Sequence, residues 1–89
     1  MADLSDLDRE LLVFEAEHPV AGAAKAEAIA AAFGLRPARY FQLLRALIQR
    51  PEALAFDPVL VGRLLRVHEG RARARAARGF APRLPHATE

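Results

Sequence analysis

The sequence predicts an all-α fold, a small bundle of about four helices containing a helix-turn-helix. Three observations point to it. Apolar residues recur at intervals of three and four, and no stretch of useful length alternates apolar with polar. Every proline, and Gly34, stands where helices begin and end rather than inside them. Between the punctuation marks the chain is rich in alanine, the best helix former.

The first helix is expected over Asp6–Glu17. Ser5 followed by Asp8 has capping-box spacing, and Leu4 is placed to supply the apolar half of a staple. Leu7, Leu11, Val13 and Phe14 supply its apolar positions, and Asp6, Asp8 and Glu10 suit the positive end of the helix dipole. His18-Pro19 ends it, because a residue before proline avoids the α region. A second helix is expected from about Ala21 to Phe33, closed by Gly34 in a left-handed conformation. Pro37 opens a third, running to about Gln49. Residues 51–56 read as a turn or a single helical turn. Asp57-Pro58 then pairs an N-cap with an N1 proline, starting a fourth helix that runs to about residue 75. Val59, Leu60, Val61, Leu64, Leu65 and Val67 make its first half apolar. Arg71–Arg78 has no large apolar residue, so it is either a solvated helical extension or a disordered tail. The resulting organisation is a disordered N-terminus over 1–4, a helix-turn-helix domain over 5–70, and a basic extension with a disordered tail over 71–89.

Charge is distributed unevenly. Residues 1–17 set six carboxylates against Arg9, a balance of −5. Residues 36–83 set eleven arginines against Glu52, Asp57 and Glu69, a balance of +8. A basic half implies an anionic partner. Alanine and arginine rise together, as GC-rich coding produces, so the arginine excess says less about recognition than its number suggests.

Several function classes are disfavoured. The chain has no cysteine, one serine and one threonine, and Ser5 is explained by capping. No nucleophile or acid–base pair stands out, so an enzyme is not expected. His18, His68 and His86 are scattered, which argues against a metal site. No glycine-rich phosphate loop is present, and no cofactor is expected. The longest apolar stretch, Ala28–Phe33, is far short of the ~20 residues a bilayer requires, so no membrane span is expected. The acidic N-terminus is the wrong charge for a secretory signal, which makes the cytoplasm, in association with the nucleoid, the expected location.

The helix-turn-helix signal lies in residues 25–48. Close crossing of its two helices calls for a small residue on the first, and Ala30 is placed for that role. Ile29 and Phe33 give the first helix an apolar face, Leu35 plugs the turn, and Tyr40, Leu43, Leu44, Leu47 and Ile48 form the inner face of the second. Arg39, Gln42, Arg45 and Gln49 are left as an outer stripe, with Arg36 at the helix start. Arginine and glutamine make bidentate contacts to guanine and adenine edges in the major groove. Arg63, Arg66, Arg71, Arg73, Arg75 and Arg78 are placed to add phosphate contacts, which raise affinity without selecting sequence. Tyr40 and Phe41 point in different directions. Either both pack, or Tyr40 holds its hydroxyl at the DNA-facing rim.

The run over residues 6–15, then Phe33-Gly34 with Arg39-Tyr40-Phe41-Gln42, then Arg50-Pro51-Glu52-Ala53-Leu54 through Pro58, resembles the actinobacterial domain-of-unknown-function family 3263. The resemblance covers roughly residues 5–78 and implies a helix-turn-helix-like helical domain without an assigned activity. The family often has serine at the place of Arg36, so here Pro37 initiates the helix without a side-chain cap.

The expected function is therefore binding of double-stranded DNA, as a transcriptional regulator or a low-specificity nucleoid protein. A domain of this size reads few base pairs, which favours a homodimer or abundant, unselective binding. The alternative is a helical module that docks on a protein partner, since fold alone does not fix function.

Overall fold

The computed structural model describes residues 3–80 and the side chains of residues 3–78. Five helices follow one another: α1 (Asp6–Glu17), α2 (Ala23–Phe33), α3 (Pro37–Ile48), α4 (Pro51–Phe56) and α5 (Pro58–Phe80). Among the described residues there is no strand. The fold is a small all-α bundle.

The local chemistry explains each boundary. At α1, Asp8 N donates to Ser5 Oγ and Ser5 N donates to Asp8 Oδ2, both at 3.0 Å, which completes the capping box. Leu4 is buried against the core, and its carbonyl accepts the Arg9 guanidinium at 2.7 Å. Leu4, which the sequence grouped with a disordered terminus, is thus held by burial and by Arg9 rather than by an apolar staple, since the staple's second position is Arg9; residues 1 and 2 lie outside the described part. His18 closes α1, donating its backbone N–H to the Phe14 carbonyl at 2.9 Å and stacking its ring on Phe14.

α2 starts two residues later than expected, because Gly22 takes φ +144° as the N-cap and Ala21 is still outside the helix. It ends as expected at Gly34, with φ +67° and the N–H donating to the Ala30 carbonyl at 2.8 Å. Ala30 itself is exposed, so it is not the close-approach residue. Successive helical residues turn by about 100°, which carries Ala30 off the face defined by Lys25, Ile29 and Phe33. α3 begins at Pro37 with no side-chain cap and ends one residue before Gln49, which is its C-cap.

The segment after Pro51 is a true helix and raises the count from four to five. Its partner proline, Pro58, starts α5 directly after Asp57, whose carboxylate accepts the Leu60 N–H at 3.1 Å. α5 is longer than the sequence suggested, continuing to Phe80 instead of about residue 75. Arginine and alanine are both strong helix formers, and no proline intervenes over Arg71–Arg78. Every side chain from Arg71 to Arg78 is exposed, so this half is a solvated extension.

The core joins Leu11, Leu12 and Phe14 of α1, Ile29 of α2, Tyr40, Leu44, Leu47 and Ile48 of α3, Ala53 of α4, and Leu60 and Val61 of α5. Leu7, Val13, Val59 and Val67, read from spacing as members of the apolar faces, are exposed. Leu12 takes the place in the core that Leu7 and Val13 do not.

Candidate nucleic-acid interface

α2 and α3 are joined through Gly34, Leu35 and Arg36. The left-handed Gly34 turns the chain, and half-buried Leu35 packs against the core. The buried side of α3 consists of Tyr40, Leu44, Leu47 and Ile48, so the helix is anchored along its whole length. Its other side carries Arg36, Arg39, Gln42, Arg45 and Gln49, all exposed. Arg39 Nη1 donates to Gln42 Oε1 at 2.9 Å, one helical turn away. That bond orients the glutamine amide and leaves its NH₂ free to donate outward. Arg63, Arg66, Arg71, Arg73, Arg75 and Arg78 are likewise exposed on α5.

These α5 arginines do not all share a side. Leu60, Leu64, Val67, Arg71, Arg75 and Arg78 follow one another at intervals of three or four residues, forming one continuous stripe at about 3.6 residues per turn. Arg71, Arg75 and Arg78 therefore extend the body-facing side of α5 beyond the core. Arg66 and Arg73 fall on the opposite side. Arg45, Arg63 and Arg71 border a groove of about 670 Å³ between α3 and α5, which also reaches Phe41, Leu44, Leu64, Val67 and His68.

Beneath this surface lies a polar cluster that the sequence reading missed. Lys25 Nζ sits 2.9 Å from Glu15 Oε1 and 3.0 Å from Oε2, with both side chains almost fully buried. Tyr40 donates its hydroxyl to Glu15 Oε1 at 2.7 Å. Lys25 also stands 5.2 Å from the Phe41 ring centroid, within cation–π range. Burial, followed by the hydrogen bond to the Glu15 carboxylate and its charge, pushes the Tyr40 hydroxyl above its ordinary pKa of 10.0. The hydroxyl is thus committed inward, and of the two alternatives the packed one holds, with Tyr40 buried and Phe41 packed against the core. Neither Glu15 nor Lys25 had been given a structural role from the sequence. The available signal was positional: Glu15 lies four residues after Leu11, and Lys25 four before Ile29. Opposite charges therefore occupied two core faces.

A second ion pair ties α1 to the α3–α4 junction. Arg50 Nη1 donates to Asp8 Oδ2 at 3.0 Å, and Arg50 Nε lies 3.6 Å from Glu52 Oε1. Partial burial works to raise the Asp8 carboxyl, but hydrogen bonds from Ser5 and the Arg50 cation outweigh it and hold it below its ordinary 3.8. Among the described residues, no helix is long and apolar enough to cross a membrane, and no three metal-ligating side chains converge.

Neither the curated proteins nor the solved structures gave a match to this chain. The family described as protein of unknown function, DUF3263, matches it over residues 3–76. That span takes in all of α1 to α4 and most of α5, and the chain belongs to the DUF3263 family.

Proposed function

We propose that the protein binds double-stranded DNA, with α2 and α3 acting as a helix-turn-helix and α3 entering the major groove. One observation carries the reading. Arg36, Arg39, Arg45, Arg63, Arg66, Arg71, Arg73, Arg75 and Arg78 are all exposed, and among the described residues none has a carboxylate within 4.0 Å. The cations that do have carboxylate partners are Arg9, Lys25 and Arg50. Unpaired arginines on one helix and its flanking extension suit a polyanion. The uncapped start of α3 supports the same reading, since its open backbone amides favour a phosphate.

Roles divide along the surface. Arg39, Gln42 and Arg45 reach base edges, with Arg36 and Gln49 at the ends of the row. Arg71, Arg75 and Arg78 extend along phosphates on the same side. Arg39→Ala with Gln42→Ala lowers discrimination by about 1–3 kcal/mol per lost base contact while retaining much of the non-specific affinity. Fluorescence anisotropy with a selected site and a scrambled duplex checks this. Equal losses on both duplexes would remove α3 as the reading helix.

A second reading has its own support. Leu54, Phe56 and Val59 are exposed within six residues of chain, Val59 at 78%. Exposed apolar side chains this close in sequence suit a protein contact. On that reading, charging Val59 (Val59→Glu) abolishes capture of a partner and leaves DNA binding intact.

A further inference from the structure

The groove between α3 and α5, about 670 Å³, lies within the size range of small-ligand sites, about 300–1,000 Å³. Its floor is apolar, formed by Phe41, Leu44 and Leu64, and its rim carries Arg45, Arg63 and Arg71. The carboxylate in its lining, Glu15, is neutralised by Lys25 and accepts the Tyr40 hydroxyl. Three arginines therefore stand over an apolar floor with no free carboxylate opposing them. Water solvates the guanidiniums but leaves the half-buried Phe41 and Leu64 partly exposed. A nucleic-acid backbone matches the rim but brings nothing apolar to the floor. The outward row of α1, with Asp6, Glu10 and Glu17, has the right charge but only Val13 among it to fill the groove. Charge and shape together call for one anionic head on an apolar body.

We propose that this groove binds a monomeric aliphatic carboxylate. The hydrocarbon lies on Phe41, Leu44 and Leu64, and a rim guanidinium takes the carboxylate through paired N–H donors. Arg45 also belongs to the outward row of α3, so an occupied groove withdraws it from DNA. This second part rests on the DNA reading; the binding itself does not.

The test is a DNA-free titration of the full chain with laurate below its micelle concentration, followed by backbone amide NMR. Saturable shifts are expected at Phe41, Leu44 and Leu64. Replacing Arg45, Arg63 and Arg71 together by alanine weakens binding at least about tenfold, as does using dodecanol, which keeps the chain and lacks the charge. All three arginines are exposed, so the variant keeps its fold, which circular dichroism checks. Val67→Asp, at an exposed position in the groove lining, also blocks binding. Non-saturating shifts, equal affinity for dodecanol, or binding to phosphatidylglycerol vesicles without binding to monomeric laurate would overturn the proposal. Loss of DNA affinity on adding laurate then tests the coupling separately.

Discussion

Glu15, Lys25 and Tyr40 place three polar groups where α1, α2 and α3 meet, and at this scale the interior is less apolar than composition suggests. A buried charge pair is stable only while both members remain. Lys25→Met strands the Glu15 carboxylate and is expected to cost about 3–5 kcal/mol in urea denaturation. Replacing both, with Glu15→Leu and Lys25→Met, costs less than the lysine change alone, since no orphan charge is left. If the double variant is the less stable of the two, the pair is not acting as a coupled unit. The titrations have opposite signs. The pKa of Tyr40 is raised in the folded protein, so its contribution is complete below its ordinary 10.0 and is lost as pH climbs through the folded value. That of Asp8 is lowered, so its contribution is present above 3.8 and is lost as pH falls through the folded value. Tyr40→Phe should flatten the alkaline limb of stability and Asp8→Asn the acid limb, each read from denaturation midpoints across pH. The capping role of Asp8 was legible in the spacing from Ser5, whereas the Glu15–Lys25–Tyr40 cluster was not, because single charges on core faces look like surface charges until partner helices are paired.

At the scale of the element, punctuation was the most readable part of the sequence. Ser5, Gly34, Pro37, Asp57 and Pro58 all perform the terminal roles their chemistry requires. Gly34 has nothing within 4 Å of an added Cβ, so its constraint is the left-handed backbone alone. Gly34→Val is expected to cost at least about 1 kcal/mol. Gly70 is also open to a Cβ but lies inside α5 with ordinary helical geometry, so Gly70→Ala is expected to stabilise by about 0.5–1 kcal/mol. Thermal unfolding of the two variants should move in opposite directions; parallel shifts would contradict the assignment. Facing was harder to read than ending. Spacing does not choose between Leu12 and the pair Leu7 and Val13, because all fall within a turn of Leu11. Ala30 was placed at the crossing for its size, although its position turns it outward. The six residues of α4 were too short for periodicity to settle as helix, and only the packing of buried Ala53 marks which way it faces. The α5 stripe makes one further prediction. Removing Arg71, Arg75 and Arg78 should weaken DNA binding more than removing Arg66 and Arg73, by more than the difference of one charge. Losses that simply follow charge number would show that the side of α5 is immaterial.

For the whole molecule, charge separates within a single small body. In the acidic N-terminal segment Asp8 is held by Arg50 and Glu15 by Lys25, while the arginines of α3 and α5 have no carboxylate partner among the described residues. The sequence showed this imbalance as a sum, but only the fold places Arg45, Arg63 and Arg71 around one groove. It also shows that the α5 extension carries its arginines on two sides. We propose that this unpaired surface meets a DNA backbone. The most direct test is an anisotropy titration of the intact protein with duplex DNA over a series of salt concentrations. Each phosphate contact contributes about 0.9 to the log–log slope, so steep salt dependence is expected, flattening when Arg71, Arg75 and Arg78 become alanine. Absence of salt-sensitive binding at low ionic strength would contradict it.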